Sequence, residues 1–189
     1  MIKRALIVGL GSIGRRHLRI LRELDPKLDI RVLRHSGCAE EIEYSDGCYQ
    51  NVEDACRFQA DFAVIASPAS EHIVSAKALA NAGTHLLIEK PISNNADGVA
   101  ELSSLARERD LRLQVGYNLR FLETLQCFRE NLINGVIGSV HSVQCEVGQY
   151  LPDWRPDVDY RQSVSAQRKF GGGVLLELSH ELDLLSWIF

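Results

Sequence analysis

Three glycines spaced G-x-G-x-x-G, Gly9, Gly11 and Gly14, stand directly behind the apolar run Ala5–Val8 and directly before a helical pattern. A strand that ends in such a turn and feeds a helix at once is the opening of a βαβ unit in a parallel sheet. Each glycine has a physical reason to be there. Gly9 permits a tight turn off the strand. Gly11 leaves no side chain between the backbone and an approaching pyrophosphate, and Gly14 lets the helix pack closely on the sheet. The free N–H groups of the first helical turn, at Ser12, Ile13 and Gly14, then face the phosphates together with the positive end of the helix dipole. The reading is a dinucleotide site; a glycine-rich corner with no ligand is its plain alternative.

The rest of the first two-thirds keeps the rhythm. Apolar runs of strand type fall at 5–8, 30–33, 62–66, 85–88 and 111–115, and helical patterns fill 13–24, 52–58, 71–82 and 96–109. Several of the runs are nearly continuous in apolar residues, as parallel strands covered on both faces must be. This predicts an α/β fold, a Rossmann-type doubly wound parallel sheet, over residues 1–117. The pattern then changes. Residues 118–134 read as a helix ending at Gly135, and 138–147 alternate as a strand. A polar stretch follows over 149–169, then Gly171–Gly173 and one strongly apolar helix to Phe189. Residues 118–189 are therefore expected to be part of a second domain that carries substrate and oligomer contacts. The last residues, Trp187-Ile188-Phe189, bring no C-cap, and the expectation is a truncated chain.

Composition narrows the function classes. A net charge of −4 gives no electrostatic footprint for nucleic acid. No apolar run approaches the roughly 20 residues that span a bilayer. The N-terminal Met1–Arg4 leads straight into a strand, too short for a signal peptide. The five cysteines, at 38, 48, 56, 127 and 145, are scattered without a C-x-x-C pair. They read as free thiols in a reducing cytoplasm, with neither a disulfide framework nor a metal site.

Other residues at strand ends carry the chemistry. An acidic residue about 20 positions beyond the glycine loop would bind the adenosine ribose. The chain has Arg34 there, followed by His35 and Ser36. A guanidinium suits a 2′-phosphate, so NADP(H) is expected over NAD(H); a solvated arginine is the other reading. Ser67-Pro68 follows the third predicted strand and Glu71-His72 opens the next helix, where the chain should touch the dinucleotide. His72 reads equally as a surface residue. Glu89-Lys90-Pro91 follows the fourth strand and sets a carboxylate and an ammonium at the same edge, to serve a substrate oxygen or only to form a surface ion pair. On the last helix Glu177, His180 and Asp183 form an i, i+3, i+6 stripe among apolar residues. That stripe offers either proton transfer or a structural hydrogen-bond network.

Taken together, Gly9–His17, Ser67-Pro68 with His72, Glu89-Lys90-Pro91, Gly116–Phe121 and Gly171–Asp183 resemble the glucose–fructose oxidoreductase/inositol dehydrogenase (Gfo/Idh/MocA) family across the whole chain. Tyr150–Pro156 also resembles a branch associated with bacterial surface-polysaccharide and sugar biosynthesis. The resemblance implies hydride transfer between a nicotinamide cofactor and a carbinol carbon of a sugar, cyclitol or nucleotide sugar, in a homo-oligomer. It implies Lys90 and His180 as catalytic residues. The usual acidic partner stands four residues before the histidine; here Glu177 stands three before it, with Asp183 as the other candidate. Asn118, Arg120, Trp154 and Arg155 are the implied substrate contacts. Most of the open sheet of the second domain is missing. The competing expectation is therefore an inactive dinucleotide-binding or interaction protein, with Leu178, Leu182, Leu185 and Phe189 left uncovered.

Overall fold

The computed structural model describes residues 2–35, 37–38, 41–154 and 159–189. It divides into two compact units, Met1–Gly116 and Tyr117–Phe189.

The first unit is built on six parallel strands: β1 (Arg4–Val8), β2 (Asp29–Leu33), β3 (Gly47–Tyr49), β4 (Phe62–Ile65), β5 (His85–Ile88) and β6 (Leu113–Val115). Their order in the sheet is β3-β2-β1-β4-β5-β6. In register, Ala5 lies beside Ile30 on one side and Phe62 on the other, and Phe62 beside His85. Helices α1 (Ser12–Leu24), α2 (Val52–Arg57), α3 (His72–Asn81) and α4 (Val99–Glu108) make the crossovers.

The apolar runs explain the layering. Successive strand side chains point to opposite faces, so a run such as Ala5-Leu6-Ile7-Val8 feeds two cores. Leu6 and Val8 join Leu33, Ala63, Ile65, Leu86 and Ile88 under Ala76, Leu79 and Leu102 of α3 and α4. Ala5 and Ile7 join Ile30, Val32 and Val64 against Leu18 of α1. Leu6, Ile7, Ile30 and Ile65 have no exposed surface; burying each such side chain contributes about 1.5–3 kcal/mol. The doubly wound sheet expected from the sequence is the fold observed.

β3 is a difference from expectation. Gly47-Cys48-Tyr49 is three residues long and half-buried at the sheet edge, too short to show periodicity. The cysteines are another. Cys38 and Cys48 are paired as a disulfide with Cα atoms 5.4 Å apart, while Cys56, Cys127 and Cys145 are free thiols. The reading of all five as thiols fails because parallel pairing of β3 with β2 brings Cys48 back beside the residues that follow β2.

Among its described residues the second unit holds α5 (Glu123–Ile133), α6 (Val174–Glu177), α7 (Ser179–Ile188) and five single 3-10 turns. The strand expected over 138–147 is absent, and Val140, Val143 and Val147 are exposed. A strand needs a ladder partner, and all the strands described belong to the first unit. The single last helix is instead two, broken at Leu178 (φ −98°, ψ 30°). Of the four apolar residues expected to be uncovered, Leu182 and Phe189 are exposed and Leu178 and Leu185 half-buried. No described helix is long and apolar enough to cross a membrane.

Candidate functional site

The strand order reverses between β1 and β4, so a crevice opens beyond their carboxyl ends, the usual ligand position in such sheets. Its floor is the glycine loop. Gly9 has φ +87°, and a Cβ there would lie 2.7 Å from the Ser67 backbone. A Cβ on Gly14 would run into the Gly9 carbonyl. Gly11 differs: a Cβ there meets nothing within 4 Å. The first two glycine positions named are thus required by the fold, while the space over Gly11 is left open. Gly11 is the N-cap of α1 and brings no side chain to the first-turn amides of Ser12, Ile13 and Gly14, which have no acceptor within the helix.

Ser67, just beyond β4, adds a second sign of a ligand. Its hydroxyl oxygen is buried with no hydrogen-bond partner among the described residues, an arrangement that costs free energy unless something polar arrives. Open space over Gly11, bare helix amides and an orphaned hydroxyl beside the same loop together fit the phosphates and ribose of a dinucleotide.

His72 departs from its plain alternative. It is 1% exposed, so it is not a surface residue. Its ring nitrogens lie 2.8 Å from the Ser67 carbonyl oxygen and 3.0 Å from the Pro91 carbonyl oxygen. The ring ties the loop after β4 to the turn after β5, where the Lys90–Pro91 peptide is cis. An imidazole with one ring N–H donates to one of these two carbonyls at a time, so His72→Leu should cost about one buried hydrogen bond, about 1–3 kcal/mol. A destabilisation of roughly 1–3 kcal/mol in urea unfolding is therefore expected; a change under about 0.5 kcal/mol, the surface-residue range, would contradict the clamp.

Glu89 and Lys90 begin that turn. Glu89 Oε1 lies 2.6 Å from Nε2 of His17 on α1, and Glu89 Oε2 accepts the Lys90 N–H at 3.2 Å. Burial pushes the Glu89 carboxyl up, but the His17 hydrogen bond, the His17 and Lys90 charges and the Lys90 N–H outweigh it and hold the pKa below the ordinary carboxylate value. The carboxylate form is thus stabilised at the crevice edge.

Beyond β2 the Arg34 N–H donates to the Tyr49 carbonyl at 3.0 Å. The guanidinium lies over Gly37, where a Cβ would sit 2.8 Å from Nη2. His35 is exposed, Ser36 lies outside the described residues, and Cys38 pins the same loop to β3. Pro68 precedes a 3-10 turn, Ala69–Glu71, that leads into α3.

In the second unit the rings of Tyr117 and His180 meet edge to face at 5.7 Å. Arg120 holds Asp183 bidentately, Nε to Oδ2 at 2.8 Å and Nη2 to Oδ1 at 2.6 Å. Two residues given separate roles in the sequence are therefore each other's partners. The helix break puts Glu177 on α6 and His180 with Asp183 on α7, so the stripe is not one continuous helical face. Asn118 opens a 3-10 turn and is exposed; Trp154 ends another, with its indole N–H buried and without a hydrogen-bond partner among the described residues. Arg155 lies outside the described residues. Among the described residues no group of His, Cys, Asp and Glu is gathered to hold a metal ion.

The sequence assigned no role to His17 although it ends the glycine-loop segment. No local signal ties it to Glu89, 72 residues away.

Two models of one oxidoreductase family match the chain. The part described as an NAD-binding Rossmann fold covers residues 3–117, and the C-terminal alpha/beta domain covers 129–189. Among curated proteins, myo-inositol 2-dehydrogenase of Thermotoga maritima is 27% identical over 192 residues, 96% of this chain and 53% of that protein. Inositol 2-dehydrogenase of Rhizobium meliloti is 28% identical over 186 residues, with 96% and 53% covered. The chain thus spans about half the length of the curated relatives it matches. Among solved structures, the WlbA dehydrogenase of Chromobacterium violaceum, in complex with NADH and UDP-GlcNAcA, has a TM-score of 0.79 at 19% identity, covering 100% of this chain and 55% of that one.

Proposed function

This chain belongs to the Gfo/Idh/MocA oxidoreductase family, and on that premise we propose that it carries the cofactor-holding part of a nicotinamide-dependent dehydrogenase acting on a cyclitol, sugar or nucleotide sugar. The observation that carries the reading is the open space over Gly11 beside bare helix amides and the orphaned Ser67 hydroxyl. The cofactor supplies the hydride chemistry. The chain's residues bind, orient and move protons.

The amides of Ser12, Ile13 and Gly14 take the pyrophosphate, with Gly9 and Gly14 shaping the turn. The Ser67 hydroxyl would donate to the bound cofactor, and Pro68, His72 and Glu89 would hold the crevice edge. Lys90 stabilises charge on the reacting oxygen. His180 takes the carbinol proton in oxidation and returns it in reduction, and Glu177 or Asp183 orients it. Asn118, Arg120, Trp154 and Arg155 contact the substrate. The relatives named as inositol dehydrogenases and the neighbour bound to a nucleotide sugar support the substrate class. The test is turnover of NAD⁺ and NADP⁺ by the full enzyme, as distinct from this cofactor-holding part alone, against a panel of inositols, sugars and nucleotide sugars. Reduction of either cofactor with a member of that panel is expected; none with any member overturns the reading.

The finer cofactor reading is NADP(H) over NAD(H). Arg34 and His35 stand beyond β2 where an acidic residue would otherwise bind the ribose hydroxyls, and Arg34 is the group to take a 2′-phosphate, with His35 and Ser36 beside it. Loss of a charge-assisted phosphate contact costs about 1.5–3 kcal/mol, roughly tenfold to more than a hundredfold in affinity. Arg34→Ala should weaken NADPH by that factor in calorimetry and leave NADH within about threefold. Equal losses for both, or a parent chain that prefers NADH, would contradict the assignment.

A further inference from the structure

His17 lies on α1, three residues beyond the last glycine of the loop, and Glu89 is the first residue beyond β5. Their side chains are 23% and 20% exposed and meet at 2.6 Å. One carboxylate oxygen serves this contact, and the other accepts the backbone N–H of Lys90. Gly116 closes a third side: a Cβ there would sit 3.2 Å from Glu89 Oε2. The carboxylate is therefore fixed by the helix that starts at the glycine loop, by its own turn and by the chain leaving β6.

We propose that His17 is a positioning residue for Lys90, acting through Glu89. The inference rests on the reading of Lys90 as a catalytic residue. A half-buried carboxylate needs a donor. With the His17 ring in place both oxygens are engaged and the Lys90 peptide is held. Without it the carboxylate turns toward water and releases the Lys90 N–H. The helix that receives the pyrophosphate and the turn that presents the lysine thus share one strut. A cofactor docking on the loop meets a lysine already in place, which saves ordering at the moment of reaction.

The test uses His17→Leu, which removes the donor, and His17→Gln, whose amide nitrogen is the same number of bonds from Cβ as Nε2 of the ring. In the 189-residue chain the Lys90 amide should lose at least about tenfold in hydrogen-exchange protection with Leu and keep it with Gln. In the full enzyme His17→Leu should lower kcat roughly 10- to 100-fold with KM and NADH affinity within about threefold, Gln should restore most of the rate, and His17→Leu added to Lys90→Ala should cost nothing further. If His17→Leu does not fold, His17→Asn, which stops a bond short of Glu89, carries the same expectations. An unchanged Lys90 amide in the donor-free variant, equal losses with Leu and Gln, or full additivity with Lys90→Ala would overturn the proposal. Near-normal kcat in Lys90→Ala itself would instead sink the catalytic reading, and the positioning role would stand or fall on the amide measurement.

Discussion

A Gly11→Val chain is expected to fold as the parent does and to bind NADH at least about a hundredfold more weakly. The fold should tolerate the change. Gly11 has φ −74° and an extended backbone, and a Cβ built on it meets nothing within 4 Å. The isopropyl group of valine would instead fill the opening over the first turn of α1 and hold the pyrophosphate away from the Ser12, Ile13 and Gly14 amides. Each charge-assisted hydrogen bond lost costs about 1.5–3 kcal/mol, and two of them account for the hundredfold. Gly14→Val is the contrasting control: a Cβ there collides with the Gly9 carbonyl, so the sheet-to-helix corner itself should fail. Circular dichroism and melting, read beside NADH calorimetry, separate the two. Unchanged NADH affinity in a folded Gly11→Val chain would remove the premise of the cofactor site.

The second large effect belongs to the chemistry. Lys90→Ala and His180→Ala in the full enzyme, with the substrate that the panel identifies, should each lower kcat by about 10²–10⁴-fold, the usual range for a proton-transfer group and near that for an oxyanion donor. NADH affinity should stay within about threefold, because groups that act mainly in the transition state contribute little to ground-state binding. Near-normal kcat for either variant would remove that residue from the mechanism.

The legible part of the fold was the part written in local pattern. Ala5–Val8 of β1 and β4 are runs of apolar residues buried on both faces, β2 and β5 are mostly apolar with Arg31 and His85 as interruptions, and the glycine loop announces its own geometry. β3 stayed hidden because three residues beginning with glycine carry no period. The alternation at Val140, Val143 and Val147 is present in the sequence, yet alternation describes a face and not a partner. The break at Leu178 falls where neither Gly nor Pro marks it.

At the site, the strand-end residues were legible because topology decides which ends face the crevice. What holds them was not. His72 contacts two carbonyls, 5 and 19 residues away, and carbonyl positions leave no trace in side-chain identity. His17 and Glu89 are 72 residues apart. Arg120 and Asp183 are 63 residues apart, and nothing local in the sequence shows that they form a bidentate pair.

The crevice beyond β1, β4 and β5 is the place where a nicotinamide dinucleotide should bind. Titrating NADH into the 189-residue chain, with every backbone amide followed by NMR, tests it most directly. Saturable binding is expected, with the largest shifts at Gly9, Gly11, Ser12, Ile13, Gly14, Ser67 and Glu89. No saturation at millimolar NADH, or shifts confined to the opposite sheet edge around Asp61, Gly83 and His85, would contradict it.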